Sequence, residues 1–108
     1  MAVYVDDERV EWRGRMWCHL VADTLSELHG FARQLGLKRG WFQASASYPH
    51  YDVTIGVRAR ALRMGALEAD RSTIIRCAKQ LKREALAAGP VATPIQLKLE
   101  FGGVHASI

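Results

Sequence analysis

Cysteine is nearly missing from this chain, which carries only Cys18 and Cys77 among its 108 residues. A disulfide framework needs more thiols, and a zinc knuckle needs paired Cys or Cys and His at short intervals, so neither is expected. Both thiols read as small buried hydrophobes of a reducing compartment. No apolar run approaches membrane-spanning length, and the first residues do not form a charged, apolar and small-residue leader. A cytoplasmic protein without a membrane partner is therefore expected. The sequence also lacks a phosphate-binding P-loop, a dinucleotide glycine fingerprint and the H-E-x-x-H helix pair. Ser45, Ser47 and Cys18 have no nucleophile-elbow or cysteine-protease surroundings. The paired H-x-S/T motifs of two-histidine phosphodiesterases are missing as well.

What is present fits one ordinary domain. Apolar residues make up 49% of the chain and charged ones 24%, near the soluble globular average. A chain of this length buries enough apolar surface to fold without a metal or disulfide staple. The formal net charge of +4 suits acidic partners without requiring them.

Ala2 to Val5 is a short β-branched and aromatic run that reads as a strand ending at Asp6-Asp7. Glu8 to Arg15 reads as an exposed connection, and Trp17 to Val21 as a second strand with Trp17, His19 and Val21 on one face. Thr24 followed by Glu27 is a capping box for a first helix whose stripe is Leu25, Leu28, Ala32 and Leu35, stopped by Gly36. Trp41 to Gln43 reads as a short strand or buried loop, with Trp41 in the core. Tyr51 to Ile55 suits a strand broken by Gly56, and Arg58 to Met64 a short helix closed by Gly65. Ala66 to Glu68 is a further strand candidate, and Asp70 or Ser72 caps a long helix reaching about Ala88. Ile95, Leu97, Leu99 and Phe101 alternate with polar residues as a last strand, before a flexible tail over 102–108. The expected architecture is α+β: a small mixed β-sheet with two or three helices packed on one face, forming a single domain over 1–101.

Ionisable residues gather at the ends of these elements, where loops bring side chains together. Asp6 and Asp7 suit a divalent cation or activated water, or else cap a turn. His19, His50 and Asp52 are the catalytic candidates, since His50 and Asp52 share a face of an extended strand and a carboxylate there orients the imidazole or joins it at a metal. His29, Tyr51 and Arg58 are the ligand-binding candidates, Arg58 being suited to a phosphate or carboxylate. Together the histidines and aspartates suit a mixed nitrogen and oxygen site for Zn, Mn or Fe. Trp12 and Tyr48 offer stacking surfaces for a base. On the long helix, Arg76, Lys79, Lys82 and Arg83 form a basic stripe, either a phosphate-contacting surface or simply a solvated helix side.

The runs Y-V-D-D at Tyr4 to Asp7, C-H-L-V-A-D at Cys18 to Asp23, E-L-H at Glu27 to His29 and H-Y-D at His50 to Asp52 resemble a bacterial and phage family known as domain of unknown function 4031. The resemblance covers residues 2 to about 69, leaves 70–101 as a helix and strand extension, and implies a shared fold and a polar cluster but no particular activity. The residues themselves lead to the expectation of a His/Asp-lined cleft that binds or hydrolyses a phosphate-containing small molecule of nucleotide type, assisted by a divalent metal. The alternative is a binding protein without enzymatic activity, engaging nucleic acid or an acidic protein through the basic helix.

Overall fold

Strand β3 (Arg15–Ala22) is the longest in the sheet and organises the rest of it. The computed structural model describes residues 2–44, 46 and 48–88, so the expected strand over 95–101 and the tail over 102–108 lie outside the described residues. One edge of β3 pairs antiparallel with both β1 (Val3–Val5) and β2 (Val10–Trp12), and β4 (Tyr51–Thr54) pairs antiparallel with it too. The two-residue β5 (Leu67–Glu68) adds parallel to β1, giving a mixed sheet of five strands among the described residues.

The segment expected as an exposed connection, 8–15, contains β2 and its turn instead. Val10 and Trp12 alternate with Glu11, and Trp12 pairs with Arg15 across a two-residue turn of Arg13 and Gly14. Both turn residues have positive φ, 51° and 77°, the backbone twist that fits a tight hairpin. Between β1 and β2 the ladder breaks. Val5 faces Leu20 and Val10 faces Trp17, so residues 6–9 lie across from only Cys18 and His19. This bulge re-aims the side chain of Asp6.

Helix α1 (Leu25–Gln34) starts as the capping box predicts: the Glu27 N–H donates to Thr24 Oγ1 at 3.1 Å. Leu28, Ala32 and Leu35 are buried, and Gly36 ends the helix at φ 88°. Helix α2 (Ile55–Arg63) begins earlier than expected, directly after β4, because Thr54 Oγ1 accepts the Val57 N–H as an N-cap. Gly56 consequently lies in the first helical turn rather than breaking a strand. A short 3-10 turn, Arg39–Trp41, replaces the strand or buried loop expected there, and leaves Trp41 about half exposed at 51% instead of in the core. Helix α3 (Arg71–Ala88) has its first turn closed by Asp70, whose Oδ1 accepts the Thr73 N–H at 2.9 Å.

Strand alternation divides the sheet. Cys18, Leu20, Tyr51 and Val53 share one face, where cross-strand pairs Leu20–Tyr51 and Cys18–Val53 are fully buried. Two helices, α1 and α2, lie on that side, tied to each other by the Arg60 guanidinium on Leu35 O. On the opposite face stand His19, Val21 and Asp52, and there α3 approaches with Ile74, Ile75 and Ala78. The core therefore lies mainly between the sheet and α1 and α2, with α3 closing one end of the second face. Among the described residues no helix is long and apolar enough to cross a membrane.

Candidate metal and ligand site

On the second face, His19 and Asp52 sit directly opposite each other in the β3–β4 ladder, and His50 precedes Asp52 by the two residues that return a strand to the same face. The rings of His19 and His50 meet edge to face, 4.8 Å between centroids. His50 Nε2 lies 3.0 Å from Asp52 Oδ1. One ligand atom from each of His19, His50 and Asp52 falls within a common span of 4.8 Å, close enough to hold one metal ion.

Each imidazole is fixed through its other nitrogen. His19 Nδ1 is 2.7 Å from Asp6 Oδ2, and the His19 backbone N–H donates to Asp6 Oδ1 at 2.8 Å. His50 Nδ1 lies 2.6 Å from the carbonyl oxygen of Tyr48. Both partners are acceptors, so each Nδ1 is placed to donate, and a ring that is neutral in this tautomer keeps its lone pair on Nε2. Metal-ligating histidines are held in this way by a carboxylate or carbonyl on the far nitrogen. Around His50 the partners Tyr48 O and Asp52 Oδ1 both accept, and a neutral ring satisfies only one of them. A second proton on the ring, or a cation between Nε2 and Oδ1, satisfies the other.

Asp6 is only 3% exposed. Burial pushes its pKa up, but the hydrogen bonds from the His19 ring and backbone outweigh this and hold it below its ordinary value. In return the hydrogen bond to Asp6 raises His19 above its ordinary value, against the opposing effect of burial. Asp6 is itself anchored from α2, because Arg58 donates from Nε to the Asp6 carbonyl at 2.7 Å and from Nη2 to Glu68 at 2.7 Å. Arg58, 9% exposed, thereby has its guanidinium engaged in the fold on both sides.

A cavity of about 300 Å³ opens beside the cluster. Asp6, Glu8, His19 and His50 form one wall, and Ile74 and Ile75 of α3 another. Arg71 stands at its edge, 3.5 Å from Glu8.

Of the residues singled out from sequence, His19, His50, Asp52 and Asp6 converge. The others do not. His29 and Tyr51 bond each other on the core side of the sheet, His29 Nδ1 to Tyr51 OH at 2.9 Å, with the His29 ring edge to face against Phe42. Burial lowers the pKa of His29 and raises that of Tyr51. Asp7 is exposed and pairs with Arg9. The carbonyl of Tyr48 and the α3 wall are not legible in the sequence, since a backbone acceptor carries no signature and the resemblance leaves α3 outside the family unit. Both thiols are buried, which raises their pKa values and leaves them poor nucleophiles.

The family described as "Protein of unknown function (DUF4031)" matches residues 3–81, and the chain belongs to it. The match runs past residue 69 into α3, so the cavity's second wall is part of the family unit and not an extension to it. No curated protein and no solved structure shows a significant match.

Proposed function

We propose that this domain holds a divalent first-row metal ion on His19, His50 and Asp52 and uses it to bind and hydrolyse a phosphate-containing small molecule of nucleotide type. The observation that carries this reading is the convergence of three ligand atoms within 4.8 Å while both Nδ1 atoms are tied to acceptors. Imidazole nitrogens with one carboxylate suit Zn, Mn or Fe, and three protein ligands leave positions for water and substrate. The carboxylates of Asp52 and Asp6 balance a dication, while the two imidazoles bind neutral.

Held by His19, His50 and Asp52, such an ion would supply Lewis acidity and would bring the pKa of its water to about 7. Hydrolysis would consume one water, whose oxygen forms the new bond to phosphorus as the bond from phosphorus to the leaving oxygen breaks and that oxygen takes up a proton from solvent. Asp6 keeps the His19 tautomer fixed throughout, and the Tyr48 carbonyl does the same for His50. The largely apolar cavity under α3 receives the remainder of the ligand.

Equilibrium dialysis against Zn²⁺ or Mn²⁺, followed by metal analysis, tests the reading. One ion per chain is expected, falling to background in His50→Ala and Asp52→Ala, together with metal-dependent release of nitrophenol from a nitrophenyl phosphodiester. Absence of stoichiometric metal in the folded protein would refute it. A second reading, a basic surface for nucleic acid or an acidic protein, is supported by the exposure of Arg76, Lys79, Lys82 and Arg83 along α3. It predicts binding that survives chelation and is lost on reversing those charges.

A further inference from the structure

Beyond the metal cluster, the same sheet face continues into an aromatic and basic platform. Trp17 is the next residue of β3 on the His19 side, Val10 lies across from Trp17, and Trp12 lies across from Arg15. Alternation puts Trp12, Arg15 and Trp17 on the face that carries His19 and Asp52. Trp12 and Val10 are 46% and 49% exposed, unusual for a tryptophan on a paired strand. The Trp12 and Trp17 rings meet edge to face at 6.2 Å, and the Trp17 indole N–H donates to the Trp12 carbonyl at 3.1 Å, so the platform is held rigid. The Arg13 guanidinium stands 4.8 Å over the Trp12 ring, and Arg15 is exposed beside it. At the other side of the cluster Tyr48, 42% exposed, lines the cavity.

We propose that this face binds a single-stranded nucleic acid, with bases stacked on Trp12 and Trp17 and, beyond the cluster, on Tyr48, so that a backbone phosphodiester lies at His19, His50 and Asp52. Exposed aromatics on an open sheet face, interleaved with arginines, are what sequence-tolerant strand binding requires. The spacing agrees: Trp17 and His19 are two residues apart on one strand, roughly 7 Å, about one nucleotide step. Charge selects the partner as well. The hairpin presents Arg13 and Arg15 on or beside this face, while Glu11 lies on the reverse side, paired across from Met16. A duplex keeps its bases stacked inside and offers the tryptophans nothing to stack on. This inference extends the proposed hydrolysis from a small nucleotide-type ligand to a strand that presents the same kind of phosphodiester, and the assignment of the scissile phosphodiester rests on that reading.

The test uses a fluorescein-labelled oligodeoxythymidine strand and the full chain in EDTA, so that strand binding is measured without any metal. Saturable binding with quenching of tryptophan fluorescence is expected, weakening with salt as counterions are released. Trp12→Ala should weaken it by roughly 5- to 100-fold, the loss of about one stacked base, and Trp12→Phe should recover most of it. Arg13→Glu with Arg15→Glu should weaken binding and flatten the salt dependence. Near-UV circular dichroism establishes that each variant is folded. No binding at low salt overturns the inference, as does a folded Trp12→Ala that binds as tightly as wild type. Loss of binding only on reversing Arg76, Lys79 and Arg83 overturns it too, and moves the strand to α3. Metal uptake without strand binding would refute this inference alone; strand binding without metal uptake would refute the hydrolytic reading alone.

Discussion

Asp6→Asn is the substitution that most directly probes how the site is built. Asparagine has nearly the shape of aspartate, and the Arg58 bond to the Asp6 carbonyl keeps the backbone in place whatever the side chain. Its Oδ1 still accepts the His19 backbone N–H. Its NH₂, however, now faces His19 Nδ1 where a carboxylate oxygen stood at 2.7 Å. An NH₂ only donates, so Nδ1 must accept and the ring proton moves to Nε2, the nitrogen directed at the metal. Removing such an orienting partner typically lowers metal affinity about 10- to 100-fold. Stability suffers less. Two charge-assisted hydrogen bonds become neutral ones, a cost of roughly 1–3 kcal/mol. Asp6→Ala leaves the buried N–H and Nδ1 without partners and should cost about 3–5 kcal/mol. Urea denaturation in EDTA gives the stability changes, competition with a chromophoric chelator gives metal affinity, and long-range ¹H–¹⁵N correlation gives the tautomer. The reasoning is refuted if Asp6→Asn keeps its proton on Nδ1, or binds Zn²⁺ as tightly as the wild type.

Metal-free protein should show a pH signature of the same pair. Asp6, held below its ordinary 3.8, stabilises the fold above that value and loses its contribution as pH falls through its folded pKa; His19, held above 6.5, contributes fully below 6.5 and loses it as pH rises through its folded pKa. The stability difference between wild type and Asp6→Asn should therefore peak between these values, and urea midpoints that differ equally from acid to alkaline pH would contradict it. His29→Ala should cost roughly 1–3 kcal/mol through the orphaned Tyr51 hydroxyl, yet leave metal stoichiometry unchanged, since His29 lies across the sheet from the cluster. Leu28→Ala, at a fully buried position, should cost about 2–5 kcal/mol, and Thr24→Ala about 1 kcal/mol; neutral values in denaturation would contradict the assigned helix.

The elements that were legible in the sequence are those whose signals are local. The Thr24 capping box, the Leu28 and Leu35 stripe and the Asp70 cap each act within a few residues, and each stands as expected. What escaped was pairing over distance. The β2 hairpin carries a weak turn signal, because Arg13 occupies a position more often given to Asn or Asp. Thr54 serves α2 as an N-cap immediately after β4, leaving no loop to mark the change from strand to helix. The approach of His19 to Asp52 depends on the β3–β4 register, set by core packing on the other face of the sheet.

Chain neighbours in this site part company for the same reason. His50, Tyr51 and Asp52 look like one ionisable motif, but a strand returns to the same face only every second residue. His50 and Asp52 go to the site, while Tyr51 enters the core, where it is 1% exposed and bonds His29. Asp6 and Asp7 separate likewise at the bulge: one turns inward to hold His19, the other outward to Arg9. The buried residue of each pair fixes the geometry that the site uses. Tyr51 packs opposite Leu20 and so pins the register that brings Asp52 to His19, and Asp6 sets which nitrogen of His19 is presented. Substitutions on the core side of β4 should therefore disturb the site through register, without touching any of its ligand atoms.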